Sequence, residues 1–311
     1  MLLHHNKAAF EELIILTANH FSLREHQVEK DYYVSLFLKI LNQQKCDIVF
    51  RGGTSLSKCY QVINRFSEDI DLSTSREKGF TQGQRKKIKS LILLTAKKLN
   101  MSILNENKIE SRKDFNCYNI RFPNTFQIEK DTVPHIIVET MFAYRSYPII
   151  NKKVTNFILN YLEEKNRDDL IDKFQLHPFP ILTQAIERTF VDKIYAICDF
   201  YLKNKYHRNS RHLYDVCMIW KSKLLHEERD KMPKLFHDVM IERQKYSNYN
   251  PSVQIGENPR KRLFEIISND FYKDDFNNIT ANLVYKKVSY EECKVTMFEI
   301  IDSGIIPNTI Y

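Results

Sequence analysis

The sequence predicts an α+β fold in two lobes: a mixed β-sheet core with flanking helices over residues 1–150, and a mostly helical lobe over 151–311. Short apolar runs broken by turn residues dominate the first half. Helical periodicity takes over near residue 151 and continues to about 303. A hydrophobic content of 43% with 12% aromatics is enough to give such a chain a full core.

Residues 6–20 carry Phe10, Leu13, Ile14 and Thr17 at helical spacing. Ser22, with Glu25 three residues on, reads as a capping box opening a second helix to about residue 43. Its buried faces would carry Val28, Tyr32, Leu36, Leu38 and Leu41, while Glu29, Lys30 and Asp31 put three charges in one turn. Those charges form either a solvated face or part of a site. A strand over 47–51, a helix over 54–62 and a strand over 68–74 follow. Over residues 76–98 the composition turns basic, and an amphipathic helix is expected there with Thr81 as N-cap and Ile88, Leu91, Ile92, Thr95 and Leu99 inside. Strands are expected near 101–109, 115–122 and 134–142. Helices over 154–164, 181–205, 209–221 and 227–245 come next. After the polar loop 246–259, helices resume near 260–268 and 289–303.

A net charge of +8 favours polyanionic partners, although ordinary solubility charge explains it equally well. The six cysteines are scattered, without C-x-x-C pairs or zinc-like clusters, which points to a reduced cytoplasmic protein with free thiols. No signal peptide is legible, and no apolar run approaches the ~20 residues of a membrane span, so no membrane partner is expected.

The chemistry concentrates in residues 48–73, IVFRGGTSLSKCYQVINRFSEDIDLS. Gly52 and Gly53 are two of only six glycines, so their adjacency marks a required turn rather than filler. Neither G-x-x-x-x-G-K-[ST] nor G-x-G-x-x-G is present. The turn instead offers backbone amides and the hydroxyls of Thr54, Ser55 and Ser57 to a phosphate. On the strand that follows, period-two alternation puts Ser67, Asp69, Asp71 and Ser73 on one side. Two carboxylates this close repel unless a cation lies between them, and magnesium takes one or two carboxylates plus phosphate oxygens. The segment reads as a phosphate turn beside a divalent-metal site. Glu139 interrupts the apolar strand 135–142, where it is a third metal ligand, an edge glutamate or half of a salt bridge.

Lys193 interrupts the stripe of Ile186, Phe190, Ile197 and Tyr201, so it needs an anion or must extend its head to water. Arg211 and Asp215, spaced i, i+4, suit an intrahelical salt bridge. Arg85, Lys86 and Lys89 on the basic helix, with Lys203, Arg208 and Arg211, could track an RNA backbone or simply face solvent.

GGTSLSK, RFSEDIDL, ERTFVDKIYAICD and RHLYDV, in that order, resemble the AbiEii/AbiGii toxin family of nucleotidyltransferase-like proteins, within the DNA polymerase β-type superfamily. The resemblance covers about residues 29–216. It implies metal binding by Asp69 and Asp71. It also implies triphosphate contact at the glycine turn (Gly52, Gly53, Thr54, Ser55 and Lys58), and a requirement for Lys193 and Asp215. Ser67 matches a serine at which such toxins can be silenced by phosphorylation. His212 departs from the family pattern R-D-L-Y-D by standing in place of its first aspartate.

The implied reaction moves a nucleoside monophosphate from an NTP to an acceptor hydroxyl with Mg2+ or Mn2+, and releases pyrophosphate. Lys193 would offset triphosphate charge, and Asp215 would orient Lys193 or act as base. The resemblance makes the acceptor a tRNA 3′ end and the protein a growth-arresting or phage-defence toxin with a cognate antitoxin. A protein or small-molecule acceptor keeps the fold but changes the substrate. A non-catalytic RNA-binding protein would have no use for the intact acids, and a metal-dependent nuclease none for the glycine turn. The resemblance implies an active site in a cleft, with Asp69 and Asp71 on one wall and Lys193 and Asp215 on the other.

Overall fold

Alternating burial along the strands decides which face of the sheet carries chemistry. The computed structural model describes residues 1–67, 69–128 and 133–308. They divide into two units: Met1–Tyr60 with Phe66–Thr183, and Gln61–Arg65 with the chain from Gln184 onward.

Among the described residues of the first unit, seven strands form one mixed sheet in the order β3-β4-β5-β2-β1-β7-β6. They are β1 (Val49–Arg51), β2 (Asp69–Thr74), β3 (Ser102–Ile103), β4 (Phe115–Arg121), β5 (Ile136–Arg145), β6 (Ile149–Val154) and β7 (Phe179–Gln184). β2 runs antiparallel to β1 and parallel to β5, and β5 runs antiparallel to β4. Ile70, Leu72, Ile120, Ile136 and Val138 are buried on one face. Asp69, Asp71, Cys117, Ile137 and Glu139 occupy the half-buried face. The apolar faces of α1 (Lys7–Phe21), α2 (Glu25–Asn42) and α4 (Gln82–Lys98) contribute Ile14, Phe37, Leu41, Ile88 and Ile92 to the core. The first unit also holds the short α3 (Gly52–Ser55), α5 (Phe157–Glu164) and α6 (Asp168–Phe174).

The units part between Thr183 and Gln184, not near residue 150. Two strands explain the difference: IINKKV and FPILTQ extend the sheet as β6 and β7, and β7 pairs parallel with β1 at Phe50 and Thr183. FPILTQ merges by eye with the helical stripe after it, so the expected helix over 181–205 begins only at Ile186. Ser22 does not open the second helix. It closes α1 in the left-handed region at φ 55°, and Arg24 is the N-cap of α2, its amide donating to Gln27 Oε1 at 3.0 Å. Thr81 and Gln84 cap α4 reciprocally, as Thr81 predicts.

The second unit is helical. α7 (Ile186–Leu202) and α8 (Arg211–Lys221) carry its central apolar stripes, with Phe190, Ile194, Ile197, Leu213 and Val216 buried. α9 (Met232–Gln244), α10 (Pro259–Ser268), the short α11 (Lys273–Asp275) and α12 (Ala281–Leu283), and α13 (Tyr290–Asp302) complete it. No helix among the described residues is long and apolar enough to cross a membrane.

Candidate active site

In the first unit, Gly52 sits at the end of β1 with φ +79°, a backbone conformation that glycine adopts without cost. A Cβ added there would overlap Asp71 Oδ2 and lie 2.8 Å from Asp71 Cγ. The glycine turn and the D-x-D strand are thus brought together, and Arg51 is the register partner of Asp71. Thr54 and Ser55 are fully buried. Thr54 Oγ1 shares a hydrogen bond with Ser67 Oγ at 3.1 Å, and Ser55 Oγ donates to Gly52 O at 2.8 Å. Their hydroxyls shape the turn and tie it to the segment entering β2.

Lys58 departs from the nucleotide contact expected of it. It is 3% exposed, and Nζ donates to Asp31 Oδ1 at 2.6 Å, Ser35 Oγ at 2.7 Å and the Asp31 carbonyl at 3.1 Å. Three acceptors match the three protons of an ammonium, so the group is committed to the interior. The other Asp31 oxygen accepts the Phe157 amide at 2.9 Å. Glu29 accepts the amides of Thr125 and Phe126, and Lys30 Nζ donates to Val133 O. The three charges of α2 are therefore neither a solvated face nor a substrate site. They fasten the helix to the glycine-turn segment and to distant loops.

Asp69 and Asp71 share the half-buried face of β2, and Glu139 of β5 stands in register with Asp71. Among the described residues, no group of three or more His, Cys, Asp or Glu side chains is arranged to hold a metal ion. The aspartate pair fits the part of a magnesium shell that protein supplies when phosphate oxygens and water supply the rest. Placement of Glu139 beside Asp71 does not by itself add a third ligand.

In the second unit, Lys193 and Asp215 meet: Nζ lies 2.6 Å from Asp215 Oδ2. Asp215 is fully buried and also receives Arg65, whose Nε and Nη2 donate to Oδ1 and Oδ2 at 2.7 Å each. The partners of Asp215 thus include residues from separate elements, a richer arrangement than the i, i+4 bridge that its spacing to Arg211 suggests. Burial alone would raise its carboxyl, but the Arg65 and Lys193 charges outweigh that and hold it well below the usual carboxylate range. Burial lowers Lys193, Asp215 opposes the shift, and the Arg65 and Arg211 charges reinforce it.

His212 stacks on Phe200 with ring centroids 5.5 Å apart, and its buried Nδ1 has no hydrogen-bond partner. Burial, then the Lys193 and Arg211 charges, keep the ring neutral. It supplies no replacement for the acid that its position has in the family pattern. Arg65 escaped the sequence reading. Its signal was position, two residues before Ser67 and four before Asp69 in RFSEDIDL.

The candidate RNA contacts differ in availability. Arg85 pairs with Asp114 and donates to Arg112 O, and Lys89 Nζ donates to Ile109 O. Lys86 and Arg208 are exposed, Lys203 is exposed with its Nζ on Tyr249 O, and Arg211 is half-buried.

The model of the nucleotidyltransferase AbiEii toxin family, of type IV toxin–antitoxin systems, matches residues 36–293. The chain belongs to the AbiEii family. It is a nucleotidyltransferase toxin of a type IV toxin–antitoxin system, an enzyme that uses an NTP and has an antitoxin counterpart. Its fold is similar to that of MenT4, a nucleotidyltransferase toxin from Mycobacterium tuberculosis H37Rv, with a TM-score of 0.50 at 13% identity over 93% of this chain and 88% of that one. A comparison with curated proteins gave no match.

Proposed function

We propose that this AbiEii enzyme transfers a nucleoside monophosphate to the 3′ end of a tRNA, arresting growth, with a role in phage defence. The observation that carries the catalytic half is the meeting of Gly52 with the Asp71 carboxylate, which supports a phosphate turn beside metal-binding acids. Asp69 and Asp71 would hold Mg2+ or Mn2+, which supplies charge neutralisation at the leaving phosphates and acidifies the attacking hydroxyl. Backbone amides at Gly52 and Gly53 would face the triphosphate, with Thr54, Ser55 and Ser67 fixing the turn that presents them. Lys193 would bring positive charge to the NTP. Glu139 remains a candidate third ligand by its register with Asp71. Lys58 is dropped from the nucleotide contacts.

The net charge of +8 and the exposed Lys86, Lys87, Lys97 and Lys98 of α4 support RNA as the acceptor. The test is incubation of the protein and magnesium with each α-labelled NTP and total tRNA, beside Asp69→Ala and Lys193→Ala controls. Label should appear on RNA and vanish in both variants. Label on the protein itself, or on no acceptor with any NTP, would sink the tRNA proposal.

A further inference from the structure

Two cations share one buried carboxylate in the second unit. Arg65 and Asp215 are almost or entirely shut from solvent, and the guanidinium occupies both carboxylate oxygens in a fork. Lys193 then adds a contact of 2.6 Å to an oxygen that Arg65 already serves. Taken by themselves, the charges of Arg65, Lys193 and Asp215 sum to one positive. Around Lys193, α8 presents Asp215, Arg211 and the neutral His212, and the segment 61–65 presents Arg65. Asp215 is thus the anion that holds Lys193, and the Arg65 charge offsets part of its pull on the lysine.

The same geometry separates the two roles left open for Asp215. A general base must take up a proton near the working pH. A buried carboxylate that accepts three charge-assisted hydrogen bonds stays ionised far below that range. Arg65 is itself fixed by its neighbours: Asn64 N donates to Tyr214 Oη at 3.0 Å, Tyr285 N donates to Asn64 O at 2.9 Å, and Arg65 bridges to Val284.

We propose that Arg65 is a positioning residue for Lys193: its fork on Asp215 fixes the carboxylate and offsets part of its charge, so that Asp215 aims the lysine without fully cancelling it and the ammonium can serve a triphosphate oxygen. Asp215 is accordingly the orienter and not the base. This rests on the assignment of Lys193 to the NTP made above.

The experiment follows the titration of Lys193 by NMR of isotopically labelled lysine, assigned with Lys193→Arg, in wild type, Arg65→Lys, Arg65→Gln and Asp215→Asn. Nucleotidyl transfer is measured on the same proteins across the neutral to alkaline range with NTP varied. Removing the neighbouring cation in Arg65→Gln should raise the Lys193 titration and the alkaline limb of kcat/KM together. KM for NTP should rise about tenfold in that variant, the worth of one charge-assisted contact. Arg65→Lys, which keeps a cation on the carboxylate but loses the fork, should fall between wild type and Arg65→Gln on both readouts. Asp215→Asn should lower the titration and retain the acidic limb.

An unmoved Lys193 titration in a folded Arg65→Gln protein overturns the proposal, because a merely structural arginine would reduce activity without moving it. Loss of the acidic limb in Asp215→Asn overturns it as well, since that marks a base. A shifted titration in a protein that transfers from no NTP instead overturns the functional reading on which the ligand depends.

Discussion

Gly52 carries two demands at once, a positive φ and the close approach of Asp71. Gly52→Ala violates both, and should cost about 1–3 kcal/mol of stability, read from the urea midpoint, beside a loss of transfer that displacement of Asp71 would cause. Lys58 makes the opposite case. It lies close to the turn in sequence, yet its ammonium belongs to Asp31 and Ser35. Lys58→Met should destabilise the protein by about 3–5 kcal/mol, because it strands a buried carboxylate. In the fraction that stays folded, KM for NTP should be unchanged. A large KM effect with normal stability would return Lys58 to the nucleotide site.

At the level of elements, the D-x-D strand, the glycine turn and the capped basic helix were legible because their signals are local: alternation, adjacency and a cap three residues from its partner. The ties that position them were not. Asp31 meets Lys58 27 residues away and Phe157 126 away, and Arg65 meets Asp215 across 150 residues. Spacing along a helix names only near neighbours, so Asp215 suggested Arg211 and the EKD turn of α2 suggested solvent. β6 and β7 were missed because one is polar and the other runs into a helix with the same apolar character.

The N-terminal turn packed on α2 adds a pH prediction. His4 Nδ1 lies 2.8 Å from Tyr32 Oη, and burial, then the His5 charge, push the ring down to about 4 from an ordinary 6.5. Above 6.5 the ring is neutral in both states and contributes no pH dependence. As pH falls toward 4, the unfolded chain binds the proton and the folded one does not, so stability is lost through that window. His4→Gln should flatten this part of the stability profile, measured as Tm against pH. An unchanged slope would mean the ring is already protonated in the folded state.

Across the whole molecule, the chain leaves the first unit after Tyr60, contributes five residues to the second, and returns at Phe66 just before β2. The residues read as catalytic are thus built into two units with different scaffolds, a sheet for the aspartates and paired helices for Lys193 and Asp215. The basic surface of α4 belongs to this scale too, since attraction to RNA sums over many charges. Replacing Lys86, Lys87, Lys97 and Lys98 by Gln should weaken RNA binding at low salt and reduce the salt slope by roughly 0.7 for each phosphate no longer neutralised. NTP affinity should be untouched. An unchanged slope would place the acceptor elsewhere.

Metal-dependent nucleotidyl transfer is proposed for the Asp69 and Asp71 pair. It is tested most directly by single-turnover transfer from an α-labelled NTP, comparing wild type and Asp71→Asn with magnesium and with chelator. The account predicts transfer by wild type with magnesium alone, and a loss of at least about a thousandfold on either change, the scale of removing charge stabilisation at a phosphoryl centre. Transfer by Asp71→Asn at a rate near wild type would contradict it.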